Sequence, residues 1–253
     1  MIEDAYPLSH AQLGMLFHSE RERQKSVYHD ISVHSVRQPL DSDVLQAVID
    51  DMVRAHAVLR TRFKLNKVSR PLQIVERSVN LPVETVDLTT MSVEAQKRTQ
   101  QSWVTAEQAR GFDLNNAPLM RVRASKLSDE QFTLALSFHH AILDGWSVSQ
   151  LVSGIVKAYM QRLSGESGSI EAAKSLYRDY IALEYQSADS AASQELWKNL
   201  LEGASFTGLP RWNVKGETGI ERCAVTIPAA AGAALRSIAA TAGTPVKTVL
   251  LAA

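Results

Sequence analysis

The sequence predicts an α/β sandwich (α+β), in which a mixed or mainly antiparallel sheet is flanked by helices. Several short segments alternate apolar and polar residues, which is the two-residue period of a half-buried strand. Longer segments repeat apolar residues every three or four positions, as an amphipathic helix does. A strict alternation of strand and helix is absent, and this argues against a doubly wound nucleotide-binding fold.

Seven segments have the pattern of strands. Residues 132–138 are almost continuously apolar, which is typical of a strand buried on both faces. The polar residues 126–130 before them predict a hairpin turn. The predicted strands lie at residues 31–36, 59–65, 72–75, 83–88, 119–124, 132–138 and 222–227.

Helices are predicted between these strands and in the last third of the chain. Ser9 and Asp41 are expected to cap the first two helices, and Gly111 to end the third. Residues 164–169 are the most linker-like stretch. An apolar helix that begins near Thr244 is still running at the last residue, so we expect the chain to be a fragment. The other predicted helices lie at residues 9–17, 41–53, 92–110, 147–163, 172–185, 191–201 and 229–242.

The composition limits the classes of function. Lys plus Arg total 27, as do Asp plus Glu, so the net charge is zero and a basic nucleic-acid-binding surface is not indicated. The single cysteine, Cys223, excludes an intrachain disulfide and is expected to be a buried, unreactive thiol. The amino terminus lacks a signal-peptide pattern, and no apolar run approaches the length of a membrane span, so we expect a cytoplasmic protein.

The residues that point to chemistry lie at 138–147, between the most apolar strand and a helix. Adjacent side chains of a strand point to opposite faces, so we expect one of His139 and His140 to face a cavity and the other the scaffold. Asp144 and Gly145 follow in the loop, where glycine permits a sharp turn into the helix. An imidazole in this position can transfer a proton near neutral pH, such as the proton lost by an amine that attacks a thioester.

Simpler interpretations of these residues stay open. The histidine pair can be structural, and Asp144 can cap the helix that starts near Ser147. Trp146 is predicted to pack against the core. A metal site is not indicated, because no cysteine accompanies the pair and the other histidines lack ligand spacing. The sequence has neither a phosphate-binding glycine loop nor a G-x-S-x-G nucleophile elbow.

Four motifs, in the expected order, resemble those of condensation domains of nonribosomal peptide synthetases. Residues 139–145 match the signature H-H-x-x-x-D-G. Residues 6–17 resemble the opening motif, and residues 54–63 resemble the second motif, R-H-E-x-L-R-T-x-F, although Ala57 stands where Glu is frequent. Residues 177–180 resemble the fourth motif. The resemblance covers essentially the whole chain.

The resemblance implies an acyltransferase-type enzyme that forms an amide bond in antibiotic biosynthesis. A donor acyl or peptidyl thioester and an acceptor aminoacyl thioester would enter a tunnel from opposite sides, each on the phosphopantetheine of a carrier protein. His140 would position the acceptor amine or act as general base, and His139 would be mostly structural. The partners implied are the donor and acceptor carrier proteins and neighbouring synthetase domains, with no cofactor or metal on the domain itself.

The resemblance also implies roles for the residues around the histidines. Asp144 would point away from the tunnel and pair with Arg62 or Arg60, or with an arginine of a second lobe. These two arginines and Trp146 are therefore expected to support the site structurally. Gly145 would let backbone approach the reacting centre and would offer its N–H there as a hydrogen-bond donor.

The fold implied by the resemblance has two chloramphenicol-acetyltransferase-like lobes. Residues 1–170 would form the amino-terminal lobe, and residues 171–253 would supply linker helices and the beginning of a second, truncated lobe. Closure by the second lobe is what would orient the two substrates, so the fragment alone is expected to be inactive.

Three alternatives to condensation remain at this stage. The first is an epimerisation domain of the same superfamily, which usually carries Trp after the Ser of the motif, whereas Val148 follows Ser147 here. The second is a coenzyme-A-dependent acyltransferase, which shares only H-x-x-x-D. The third is an inactive fragment that serves as a docking surface for carrier proteins. Within condensation domains, residues 14–19 resemble members whose donor ends in a D-configured residue.

Overall fold

A computed structural model describes residues 1–21, 27–205 and 225–252 of the chain. The chain divides by its internal contacts into two compact units, Met1–Glu202 and Gly203–Ala253. Cys223 and the start of the strand predicted at 222–227 lie outside the described residues, and the described part, 225–228, has no regular secondary structure.

The first unit contains a mixed sheet and a smaller antiparallel sheet in its described part. The strands are β1 (Ile2–Pro7), β2 (His29–Val36), β3 (Thr61–Lys64), β4 (Leu72–Glu76), β5 (Val83–Asp87), β6 (Met120–Ser128) and β7 (Gln131–His139). The small sheet has the order β1–β4–β3. In the larger sheet, of order β2–β7–β6–β5, the first three strands are antiparallel and β5 runs parallel to β6. The predicted mixed sheet is confirmed.

Helices flank these sheets in the first unit and make up the regular structure described for the second. The helices of the first unit are α1 (His10–Arg21), α2 (Ser42–Ala55), α3 (Val93–Arg110), α4 (Gly145–Leu163), α5 (Tyr177–Asp189) and α6 (Ala191–Leu201), with a 3-10 helix at Ala57–Arg60. The second unit has α7 (Ala229–Thr241) and α8 (Val246–Ala252). The predicted caps form, because the Ser9 hydroxyl accepts from Gln12 N and the Asp41 carboxylate accepts from Asp43 N and Val44 N. Gly111 follows the last residue of α3, as predicted.

Helices α2 and α4 pack together on the core. The buried face of α2 has the helical spacing expected from the sequence and consists of Leu45, Val48, Ile49, Met52 and Val53. The two helices approach closely at Gly154 of α4, where an added Cβ would lie 2.6 Å from Met52 Cε. This packing fixes the direction of α4, whose first turn belongs to the candidate site.

Strand β7 leads from the core to the site. It lies between β2 and β6, and all its residues after Gln131 are buried, as the apolar run predicts for a strand covered on both faces. Phe132, Leu134, Leu136 and Phe138 alternate along the strand and belong to the hydrophobic core. The strand ends at His139. The signature residues therefore follow directly from the best-supported strand of the sheet.

Three segments differ from the prediction. The sequence did not indicate β1, because its residues show no clear alternation and its order is supplied by pairing with β4 at the edge of a sheet. Residues 59–65 were expected to form one strand, but a 3-10 helix ends at Arg60 before β3 begins. Helix α5 begins at Tyr177 rather than near 172.

Candidate active site

His139 is held in the interior at the end of β7. Its side chain is buried, with 4% of the residue exposed. The backbone N–H of Ala141 donates to His139 Nδ1 at 3.1 Å, so Nε2 carries the proton and donates to Ser19 Oγ at 3.0 Å. Burial, followed by the positive charges of nearby His29 and His140, lowers the pKa of His139 to about 4. His139 is therefore neutral near pH 7, and both ring nitrogens are bonded.

His140 has a different environment, although it is the next residue. About 38% of its side chain is exposed. Its backbone N–H donates to Tyr28 O at 2.7 Å, which continues the β2–β7 pairing beyond His139. Its Nδ1 lies 2.6 Å from Asp30 Oδ2. The two rings thus differ in environment, with that of His139 in the scaffold and that of His140 partly exposed at the surface. That His140 faces a cavity stays a prediction.

Asp144 caps helix α4. Its Oδ1 accepts a hydrogen bond from Ser147 N at 2.8 Å, as the simpler interpretation of the sequence expected. Hydrogen bonds from the Ser147 side chain and backbone lower the pKa of Asp144. The carboxylate is exposed, and in the described part of the chain no arginine pairs with it. The expected pair with Arg60 or Arg62 is therefore wrong for the described residues.

Both arginines pair with carboxylates of the small sheet instead. Arg60, which is 6% exposed, donates from Nη1 to Glu3 Oε2 at 2.5 Å and from Nε to Val53 O at 2.9 Å. Arg62 Nε donates to Glu76 Oε1 at 2.8 Å. The single strand predicted over residues 59–65 would have placed Arg60 and Arg62 on the same face. The intervening end of the 3-10 helix separates them, and each finds its carboxylate on β1 or β4.

Gly145 and Trp146 form the first turn of α4. Trp146 is 78% exposed, so the prediction that it packs against the core is wrong. The buried face of α4 begins at Val148 and continues through Leu151, and a residue two positions before Val148 points away from it. Gly145 does not adopt a left-handed φ, and a Cβ added there would meet nothing within 4 Å. Among described residues, no steric need for glycine remains at this position, and open space lies beside it.

Three polar residues of the site were missed by the sequence reasoning: Asp30, Ser19 and Gln12. Asp30 was identifiable only by pairing the start of the strand at 31–36 with the end of the strand at 132–138. Ser19 and Gln12 are on α1, where Gln12 is buried and its Nε2 donates to Ala141 O at 3.0 Å. The opening motif at residues 6–17 thus contributes to the loop that carries the histidines.

A buried polar network lies beneath the site on β7. Ser137 Oγ is 2.7 Å from His29 Nε2 and donates to Glu107 Oε1 at 2.6 Å. Arg121 also contacts the Glu107 carboxylate. Burial, followed by the positive charge of Arg121, lowers the pKa of His29. The hydroxyl, the carboxylate, the guanidinium and His29 Nε2 satisfy one another, whereas the buried Nδ1 of His29 has no hydrogen-bond partner among the described residues. We interpret the network as support for the end of the sheet.

Among the described residues, no group of three or more His, Cys, Asp or Glu side chains could hold a metal ion. No helix in the described ranges is long and apolar enough to cross a bilayer.

The chain is similar in sequence to synthetase subunits. The family model described as "Condensation domain" matches residues 2–253. The chain is 34% identical to the AMB antimetabolite synthetase AmbE of Pseudomonas aeruginosa over 100% of its own length and 12% of that protein. It is 34% identical to bacitracin synthase 1 of Bacillus licheniformis over 88% of its length and 4% of that protein. The chain thus spans a small part of these curated relatives.

The fold is similar to that of solved condensation domains. The starter condensation domain of rhizomide synthetase RzmA superposes with a TM-score of 0.70 at 17% identity, over 80% of this chain and 49% of that one. The first condensation domain of the calcium-dependent antibiotic synthetase gives a TM-score of 0.68 at 20% identity, over 79% and 48%. The likeness confirms the predicted fold class, and the match of the family model to nearly every residue shows that the chain belongs to the condensation-domain family of nonribosomal peptide synthetases.

Proposed function

We propose that this chain supplies the amino-terminal lobe of a domain that forms an amide bond between two thioesters. The donor is an acyl or peptidyl thioester and the acceptor an aminoacyl thioester, each on the phosphopantetheine of a carrier protein. The observation that carries the proposal is the placement of His140, which is half-exposed directly beyond the buried strand β7, within the H-H-x-x-x-D-G signature. The family match over residues 2–253 supports it.

The proposed reaction needs one well-placed base. The acceptor amine attacks the donor carbonyl carbon, a C–N bond forms, the C–S bond breaks, and the thiolate leaves. The amine nitrogen loses a proton, and the departing sulfur takes one up. Within the described ranges no group bonds to His140 Nε2, so this atom can hold the amine in line and accept its proton.

The residues beside His140 support this step. His139 is neutral, so it adds no positive charge next to an imidazole that must accept a proton. The cap made by Asp144 orders the start of α4, where the first backbone N–H groups have no partner within the helix. We assign the Gly145 N–H to the developing oxyanion of the donor carbonyl, because the space beside this residue is open.

The partners are part of the proposal. The matching segment occupies 12% of AmbE and 4% of bacitracin synthase 1, both of which are synthetases. That arrangement supports donor and acceptor carrier proteins and neighbouring synthetase domains as partners. The fragment alone is expected to lack activity, because the chain spans about half of the solved domains, 49% for RzmA, and orientation of two substrates needs both lobes. A cytoplasmic location, predicted from the sequence, belongs to the same proposal.

The test compares the chain alone with the chain joined to a second lobe. Each is mixed with separately loaded donor and acceptor carrier proteins, and intact-protein mass spectrometry follows the transfer of the donor acyl group to the acceptor. We expect the amide product from the two-lobe protein only. Absence of amide with every loaded pair, together with exchange of the Cα hydrogen on one carrier-bound residue, would replace condensation by epimerisation. Transfer from acyl-coenzyme A instead would indicate the acyltransferase alternative.

A further inference from the structure

The carboxylate that contacts His140 is Asp30 on β2, which is outside the H-H-x-x-x-D-G signature. We propose that Asp30 is a positioning residue that holds the His140 ring with its proton on Nδ1, so that Nε2 presents a lone pair to the acceptor amine. This inference rests on the proposed function. It adds Asp30 to the residues that support the reaction, and it assigns Asp144, the carboxylate of the signature, to helix capping.

The contact itself sets the tautomer. Asp30 Oδ2 lies 2.6 Å from His140 Nδ1, a distance typical of a hydrogen bond assisted by charge. An ionised carboxylate can only accept, so Nδ1 must carry the hydrogen. In a neutral imidazole the other nitrogen then has a free lone pair. A general base that takes a proton from an amine needs this state of Nε2.

The backbone places the two side chains together. The register of β2 and β7 pairs Asp30 with Phe138 and His29 with His139. The bond from His140 N to Tyr28 O continues this register by one step. Asp30 and His140 are therefore diagonal neighbours on the same face of the paired strands, within reach of each other's side chains. The contact follows from the sheet register and does not depend on a flexible loop.

The backbone conformation of Tyr28 supports the pairing of His140 with the residue before β2. Tyr28 has a φ of 64°, in the left-handed region that residues other than glycine rarely adopt. Its carbonyl is nevertheless the acceptor for His140 N. The chain thus holds an unfavourable conformation immediately before β2 and keeps the backbone of His140 aligned with Asp30.

The two carboxylates near His140 have different tasks in this arrangement. Hydrogen bonds from Ser147 lower the pKa of Asp144 most, and the charge of His140 adds to this lowering, but the hydrogen bond that Asp144 Oδ1 accepts comes from Ser147 N. Asp30 makes the direct contact with the ring. Both members of the Asp30–His140 pair are substantially exposed, at 48% and 38% of their side chains, so the pair is not a buried element on which the fold depends.

The kinetic test uses three variants of Asp30 in the two-lobe protein. Asp30→Asn keeps the size but lets an amide donate or accept, so it no longer selects one tautomer. We expect kcat for amide formation to fall by about tenfold to a hundredfold, with less than about a twofold change in KM for the acceptor. Asp30→Ala should lose at least as much, and Asp30→Glu should recover part of the rate. Asp129→Asn, the same change at an exposed turn that pairs with Lys126, is the matched control and should leave kcat unchanged.

The spectroscopic test uses the 253-residue chain without substrates. Long-range ¹H–¹⁵N spectra of histidine-labelled protein distinguish the Nδ1–H and Nε2–H forms of a neutral ring. We expect His140 to be in the Nδ1–H form, and Asp30→Asn to shift it toward the Nε2–H form while leaving His139 in its Nε2–H form. A purely structural role for Asp30 would not move this signal.

The results separate this inference from the proposed function. An Nε2–H form of His140 in the unmodified chain, or a wild-type kcat in Asp30→Asn, would overturn the role of Asp30. If the two-lobe protein forms no amide at all, the proposed function fails, whereas the spectra still decide whether Asp30 sets the tautomer of His140.

Discussion

Ser19 Oγ lies 3.0 Å from His139 Nε2 and joins helix α1 to the end of the central strand β7. Ser19 in turn donates to Met15 O at 2.9 Å, one turn earlier in α1. His139 Nδ1 can accept from Ala141 N only when it carries no proton, so both contacts form together only on a neutral ring with its proton on Nε2. The fold therefore depends on a neutral His139, whereas the proposed chemistry depends on the free Nε2 of its neighbour His140.

The low pKa of His139 predicts that acid destabilises the fold. The pKa is about 4 in the folded chain and about 6.5 in an unfolded one, so between these values the unfolded state binds more protons. The contribution of His139 to the free energy of unfolding should be fully present above about pH 6.5. It should be lost as pH drops toward 4, and the total loss from this group should be roughly 3 kcal/mol. Urea unfolding near pH 7 and near pH 5 measures this loss.

The control for this pH dependence is His139→Gln, which removes the titrating group. Its free energy of unfolding should change less between the two pH values than that of the unmodified chain. His34 and His56, whose pKa values are lowered by burial alone, contribute equally to both proteins and cancel in the comparison. An equal pH dependence in both would contradict the assignment.

The cap of α4 predicts a modest role for Asp144 in stability. Asp144→Ala leaves the N–H of Ser147 without its partner and should lower the free energy of unfolding by about 1 kcal/mol. Because hydrogen bonds lower the pKa of Asp144, this contribution should be present at neutral pH and be lost as pH falls through that pKa. Asp129→Ala, at an exposed turn, is the comparison and should have little effect.

The absence of a pair between Asp144 and Arg62 in the described chain can be tested by a double-mutant cycle. Arg62 is bonded to Glu76, so Asp144→Ala and Arg62→Leu should add within about 0.5 kcal/mol in urea unfolding. A coupling energy of about 1 kcal/mol or more would restore the arginine pair implied by the family resemblance.

Gly168 and Gly14 should respond in opposite directions to replacement by alanine. Gly168 has a φ of 49°, and an added Cβ would lie 2.6 Å from the backbone oxygen of Ala158, so Gly168→Ala should lower the free energy of unfolding by more than about 1 kcal/mol. Gly14 lies within α1 with nothing within 4 Å of an added Cβ, so Gly14→Ala should raise it by about 0.5–1 kcal/mol. Thermal or urea unfolding distinguishes them, and equal effects would contradict the geometry.

The sequence was most informative where the local pattern and the final environment agree. The apolar run of β7 and the capped, amphipathic helix α2 were predicted closely. Burial on both faces of a strand leaves a continuous apolar run, and burial of one face of a helix leaves a period of three to four residues. Helix α6, predicted at 191–201, has the bounds Ala191–Leu201 in the structure. The signature residues between β7 and α4 were also placed correctly on a loop beyond the most buried strand.

The remaining features depend on contacts between segments distant in sequence. β1 is ordered by pairing with β4, about seventy positions later, so its own residues carry little signal. Trp146 is exposed because it points away from the buried face of α4, which begins at Val148. The sequence predicts the helix, but its pattern does not assign the first-turn residues to the buried or exposed face. Asp30 reaches His140 through the register of β2 and β7, and a register cannot be read from either strand alone.

The rate of amide formation by His140→Ala tests the central claim most directly. In the two-lobe protein, with loaded donor and acceptor carriers, the single-turnover rate should fall by at least about a hundredfold. His34→Ala is the matched control, since His34 lies on β2 opposite Leu134 and away from the strand end, and its rate should stay within about twofold of the unmodified protein. Amide formation by His140→Ala at the unmodified rate would contradict the assignment of His140 as the residue that acts on the acceptor amine.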